Sequence, residues 1–181
     1  AKGHVQAQKL GQLIRVIFDF ADGKAYPAAN PSAAERLGVV ATGGFGRGEM
    51  APLSDIDLLF LRPYKQTPRG EQIVEFMLYL LWDMGLKVGH PTRTDEESLR
   101  YAERDHTIRT ALLEARYIWG DRELNDELVK GYAQKMASGA GRDFVEAKLA
   151  ERDHRHVRMG DSRYVVEPNV KEGKGGLRDL H

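Results

Sequence analysis

The sequence predicts an α+β fold, a small mixed β-sheet followed by a helical annex, and three observations point to it. Two apolar runs, residues 37–41 and 56–61, have the length of buried strands and flank a stretch rich in glycine that ends in two aspartates. A strongly periodic apolar segment, framed by Thr67-Pro68 and Gly85, separates the second run from a third short one at residues 86–90. Beyond Asp95 the apolar residues recur only at the three-and-four spacing of helices.

Leu10, Leu13, Ile14, Ile17 and Phe20 or Ala21 form the apolar stripe of a packing helix that should end before Gly23. Residues 25–32, with Pro27, Asn30 and Pro31, form a loop into the first strand. That strand stops at Gly43 and Gly44, a short helix is expected from near Phe45, and Asp55 and Asp57 open the second strand. Thr67 can cap the next helix, Pro68 suits its first position and Gly85 its end. Within it Ile73, Met77, Leu80 and Met84 form a stripe that Val74, Leu78 and Leu81 widen, so this helix belongs to the core. Strand, strand, helix, strand is the order of a mixed sheet. Further helical patterns cover residues 95–104, then Ile108, Leu112, Ala115 and Trp119, then Leu124, Leu128, Tyr132 and Met136. A charged helix over 143–158 should mostly face solvent. The tail reads as a short strand at 164–166, a turn at Pro168 and Asn169, and a flexible loop at 173–176 around Lys174.

A chain of 181 residues, 41% hydrophobic, can build one substantial core and is short for two. Lys and Arg total 27 and Asp and Glu total 27, so no general attraction to nucleic acid follows and a polymerase role is disfavoured. The lack of cysteine excludes disulfides, thiolate metal sites and cysteine nucleophiles, and fits a reducing compartment, with the cytoplasm as default. No apolar run approaches the ~20 residues of a membrane span, so no membrane partner is expected. The start at Ala1 and the end just after a glycine-rich motif suggest a fragment of a longer protein.

Side chains alternate along a strand, so Asp55 and Asp57 project from the same side. Two acids so close repel each other, and a divalent cation is the usual reason to keep both ionised; Mg²⁺ prefers such hard oxygen ligands together with substrate phosphates. At Gly43 and Gly44 the missing Cβ lets backbone N–H groups approach an anion, and a helix starting there aims its positive end at the same point. Together they suit a triphosphate carried on magnesium. Alone, Gly-Gly is mostly a turn and Asp-x-Asp a solvated strand end; both together, ten residues apart in successive strands, are specific. His90, at the end of the third strand, reads as structural, and His154 and His156 diverge by about 200° on a helix and cannot share an ion locally. Lys171, Lys174 and Arg178 put three cations within eight residues, suited to a triphosphate or departing pyrophosphate, although an interdomain linker explains them equally well.

Gly-Gly after one strand and Asp-x-Asp in the next match the nucleotidyltransferase signature of the DNA polymerase β superfamily. The wording GGFGRGEMAPLSDIDLLFL, LLWDMGLKVGH, TIRTALLEARYIWGD and RYVVEPNVKEGKGGLRDLH further resembles the N-terminal nucleotidyltransferase part of the bacterial bifunctional PII uridylyltransferase and uridylyl-removing enzymes. That resemblance spans nearly the whole chain. It implies a polymerase β-like core and Mg²⁺-dependent transfer of UMP from UTP to a tyrosine hydroxyl of a PII signalling protein, with release of pyrophosphate. Asp55 and Asp57 would be catalytic and hold the metal, Gly43 and Gly44 would shape the phosphate loop, and Arg47 would brace it. The resemblance also turns Lys171, Lys174 and Arg178 from linker residues into nucleotide-binding ones. Superfamily members commonly place a third acid on the third strand; residues 86–90 offer Lys87, Gly89 and His90 and no acid. The expected division is a core at 1–94, a helical annex at 95–160 and a basic tail at 161–181. The resembled enzymes add a phosphohydrolase domain with a His-Asp dipeptide and small-molecule-sensing domains. Here Asp105-His106 and Asp153-His154 run in the reverse order, so this chain should not remove the nucleotide it adds. Two rival readings are an adenylyltransferase of the glutamine synthetase type, with the same plan and a similar tail, and a non-catalytic nucleotide-binding sensor module, against which both aspartates argue.

Overall fold

The computed structural model describes residues 2–50, 54–137, 141–160, 169–170 and 173–180. The chain divides into two compact units, residues 1–133 and 134–181. In the first, β1 (Gly38–Thr42) is the central strand, buried along its whole length. It pairs antiparallel with β2 (Ile56–Leu61) on one side and β5 (Arg116–Gly120) on the other. The other edge of β2 pairs in parallel with β3 (Val88–Gly89) and then β4 (Thr92–Arg93). The sheet is therefore mixed, as expected, with the order β3-β2-β1-β5.

Alternation along β1 and β2 builds two cores. Val39, Ala41, Ile56, Leu58 and Phe60 pack with Ile14 of α1 (Lys2–Phe20) and with Ile73, Met77 and Leu81 of α3 (Pro68–Asp83). Val40, Leu59 and Leu61 face the other way, with Leu99 of α4 (Asp95–Arg104), Leu112 of α5 (His106–Leu113) and Leu124 and Leu128 of α6 (Arg122–Lys135). Helices on both faces explain why β1 reads as an unbroken apolar run rather than an alternating one. Each fully buried Leu, Ile, Met or Phe contributes about 1.5–3 kcal/mol to holding the sheet between its helices.

Local signals set the boundaries of α3 and α4. Thr67 Oγ1 accepts the Gly70 N–H at 3.1 Å, Pro68 begins α3, and Gly85, at φ +76°, follows its end. Thr94 and Glu97 form a reciprocal capping box at 3.0 and 2.9 Å, which starts α4 at Asp95. The first helix differs from expectation: instead of ending before Gly23, it widens into a π turn at Ala21–Ala25. Phe18 and Ala21 are buried there, while Phe20 stays exposed and stacks on Phe76 at 5.9 Å.

The pattern Ile108, Leu112, Ala115, Trp119 is helical only as far as Leu113; residues 116–120 are β5. Tyr117, Ile118 and Trp119 are strong strand formers, and their pairing partner β1 lies far back in the chain. Gly120, at φ +85°, ends the strand where any Cβ would meet the Leu37 carbonyl.

In the second unit α7 (Gly141–Arg158) and the short α8 (Leu177–Leu180) are joined by an ion cluster. Asp179 accepts from Arg155 Nη2 at 2.5 Å and from the Gly175 N–H at 2.7 Å, and its Oδ2 lies 2.7 Å from His156 Nε2. The Gly175 amide, with Arg155 and His156 behind it, holds the Asp179 carboxyl down to about 2. α7 mostly faces solvent, as expected, and His154 is exposed, but Arg155 and His156 are buried against Asp179, whose sequence distance hides the pairing. The strand expected at 164–166 lies outside the described residues. No helix among the described residues is long and apolar enough to cross a membrane.

Candidate active site

β1 ends beside the start of β2, with Thr42 opposite Asp57. The chain then turns through α2 (Gly43–Gly46), one residue past the end of β1. Gly43 sits at φ +57°, and a Cβ there would lie 2.8 Å from Asp57 Oδ2. On the other side Gly89 of β3 pairs with Asp57, and a Cβ at Gly89 would lie 3.1 Å from Asp57 Oδ1. Both carboxylate oxygens are thus walled by residues without side chains, a cradle open to something other than protein. Asp55, just ahead of β2, is exposed beside it.

The Asp57 side chain reaches solvent, yet the surrounding protein raises its pKa, by desolvation first and then by repulsion from Asp55 and Glu114. A divalent cation would relieve that repulsion, and the donors available are hard oxygens. Among the described residues no group of three or more His, Asp or Glu is arranged to hold a metal. A two-carboxylate site fits Mg²⁺, which commonly binds one or two carboxylates and completes its shell with substrate phosphates and water.

Residues 43–49 form a tight turn, with Arg47 N–H to Gly43 O at 3.1 Å and Glu49 N–H to Gly44 O at 2.8 Å. Arg116, at the start of β5, donates to Gly46 O at 2.9 Å and Phe45 O at 2.8 Å, so the opposite strand pins this turn. Arg47 folds back over it, its Nη2 3.8 Å from where a Gly44 Cβ would be. Its Nε donates to Glu49 at 3.2 Å and its Nη1 pairs with Glu114 at 2.6 Å. Burial opposes the charge on Arg47, but the two carboxylates outweigh it and hold its pKa above the ordinary value.

The first unit therefore brings together Gly43, Gly44, Arg47, Asp55 and Asp57. Lys174, half-buried, and Arg178, exposed, belong to the second unit, and Lys171 lies outside the described residues. Glu114 and Arg116 escaped the sequence reading because that segment looked helical; the available signal was the strand-forming Tyr-Ile-Trp run closed by Gly120. His90 lies edge-on to Trp82 at 5.5 Å. It lines a cleft of about 210 Å³ with Arg36, Arg62 and Thr67 that shares no residue with the carboxylate site.

Residues 30–118 match the family described as nucleotidyltransferase domain, and residues 143–181 match the GlnD PII-uridylyltransferase family. A bifunctional uridylyltransferase/uridylyl-removing enzyme of Rhodospirillum rubrum is 63% identical over 95% of this chain. Nearly the whole chain is thus similar to part of an enzyme of that description, with a nucleotidyltransferase domain at its centre. Enzymes of the same description from Erythrobacter litoralis and Azospirillum brasilense are 61% and 56% identical, each over 93% of the chain. The chain spans 18% of the length of each of these relatives. Among solved structures, a toxin–antitoxin complex with AMP-PNP aligns over 64% of this chain and 87% of that one, at 17% identity and a TM-score of 0.40, too loose a likeness to argue from.

Proposed function

We propose that this chain transfers a uridylyl group from UTP to a tyrosine hydroxyl of a PII protein, releasing pyrophosphate. The observation that carries the proposal is the Asp57 carboxylate held between Gly43 and Gly89, with Asp55 beside it and the glycine turn next to it. In this reading Asp55 and Asp57 would hold Mg²⁺, which would neutralise phosphate charge and help align the attacking oxygen with the leaving group. The turn at Gly43 and Gly44, pinned by Arg116, lets backbone N–H groups approach the phosphates. Arg47 lies above it as a cation for the triphosphate.

The tyrosine oxygen attacks the α-phosphorus of UTP, a new phosphodiester bond forms, and the bond to the bridging oxygen breaks as pyrophosphate departs. The hydroxyl proton passes to one of the two aspartates. Lys174 and Arg178 of the second unit, with Lys171, are assigned to the triphosphate as well. The catalytic core runs past residue 94 to take in Glu114 and β5, so the expected helical annex at 95–160 supplies a strand of the core sheet, and 161–181 serves as the basic tail, in the cytoplasm. The test is a turnover screen of the chain with PII, Mg²⁺ and each of ATP, UTP, CTP and GTP. UTP-specific pyrophosphate release supports the reading, ATP-specific release points to an adenylyltransferase, and no Mg²⁺-dependent nucleotide binding points to a sensor module.

A further inference from the structure

Arg47 is tied to two carboxylates of very different surroundings. Glu49 is 57% exposed and 3.2 Å away, whereas Glu114 is 13% exposed and 2.6 Å away. An exposed pair contributes little net energy, while a shielded one at short distance fixes geometry, so Glu114 is the anchor and Glu49 the fringe. Glu114 is itself held in place: it precedes β5, and two residues on Arg116 is bonded to the carbonyls of Phe45 and Gly46. Its backbone lies so close to Gly46 that any Cβ there would overlap the Glu114 carbonyl. The entry to β5 and the glycine turn are therefore one rigid piece.

With Nε on Glu49 and Nη1 on Glu114, the Nη2 edge of Arg47 is left over Gly44. That edge borders the turn assigned to the phosphates. Glu114 also lies near enough to Asp57 to repel its charge, yet it is not part of a metal-ligating cluster among the described residues. Its short bond goes to the guanidinium.

We infer that Glu114 is a positioning residue: it aims Arg47 at the triphosphate and does not itself bind the metal. This rests on the nucleotidyl-transfer reading. A carboxylate in this place does two things at once. It fixes a long side chain that would otherwise sample many rotamers, at a cost of up to ~2 kcal/mol of rotamer entropy. It also offsets the cost of partly burying the Arg47 charge before any nucleotide arrives.

The test is a double-mutant cycle on the full chain with Arg47→Ala, Glu114→Gln and the two combined. Kd for Mg·UTP is measured by calorimetry, and KM and kcat with PII as acceptor. Glu114→Gln should weaken Mg·UTP about 10-fold and Arg47→Ala about 10- to 100-fold, as expected for charge-assisted contacts. The double variant should be no weaker than Arg47→Ala, and Glu114→Asp should recover part of the loss. Arg47→Ala leaves Glu114 shielded without its partner; if it fails to fold, Arg47→Lys replaces it and should show the same coupling. Additive losses, or an unchanged Kd in Glu114→Gln, would overturn the inference. So would a raised Mg²⁺ requirement that Glu114→Gln adds in the Arg47→Ala background, which would make Glu114 a metal ligand. If the wild-type chain binds none of the four nucleotides, the transfer reading falls, and this inference with it.

Discussion

Gly43→Ala and Gly85→Ala form a matched pair that separates catalytic geometry from stability. Both residues have left-handed backbones, at φ +57° and +76°. Alanine in that conformation costs about 1–2 kcal/mol, which for a domain of this size lowers Tm by roughly 2–8 °C. Their surroundings differ. A Cβ at Gly43 would lie 2.8 Å from Asp57 Oδ2, closer than carbon and oxygen tolerate, whereas nothing lies within 4 Å of one at Gly85. Asp57 must swing away in the first variant and is untouched in the second. Misplacing a reacting group by about 1 Å costs on the order of 10²-fold in rate. Melting curves alongside UTP-dependent pyrophosphate release should therefore show similar Tm losses and a turnover loss of about 10²-fold in Gly43→Ala alone. Gly89→Ala completes the series: its φ is not left-handed and its Cβ would lie 3.1 Å from Asp57 Oδ1, so turnover should fall with little loss of Tm. If Gly43→Ala turns over as well as Gly85→Ala, the glycine cradle around Asp57 has no catalytic meaning.

Lys174→Ala and Arg178→Ala should each weaken Mg·UTP about 10- to 100-fold by calorimetry; unchanged affinity in both would return the tail to the role of a linker. Asp121 pairs with Arg36 at 2.6 and 2.8 Å and caps α6 through the Leu124 N–H at 3.1 Å, so Asp121→Ala should lower Tm by roughly 5–10 °C. Glu123, the exposed partner of Arg36 at 3.0 Å, should change Tm by no more than about 2 °C on replacement with Ala, and equal effects would sink this ranking. Asp179 has a folded pKa depressed from 3.8 to about 2, so its stabilisation is present above 3.8 and lost as pH falls through about 2. The Gly175 amide proton shift should titrate with that low midpoint, and a midpoint near 4 would mean that the carboxylate is not held by this bond.

The strands β1 and β2, α3 with its caps and the helix α4 were legible because their signals are local. An apolar run ends at Gly43, and Thr67 precedes Pro68. The same holds for the neighbourhood of Gly43 and Asp57, since two adjacent antiparallel strands must bring the end of one to the start of the next. β5 was hidden because Ile108, Leu112, Ala115 and Trp119 fit a helical period, and only pairing with β1 decides the matter. Glu114 and Arg116 were lost with it, because their roles appear only once β5 lies beside the glycine turn. The burial of His156 depends on Asp179, 23 residues further on, and no local pattern announces that contact.

The central claim is most directly tested by mass spectrometry of a PII protein incubated with this chain, UTP and Mg²⁺. The expected result is a single added uridylyl group on a tyrosine, lost by ~10²-fold or more in Asp55→Asn and Asp57→Asn, whose amides keep the shape but not the charge that holds the metal. An unmodified PII, or modification that survives undiminished in both variants, would contradict it.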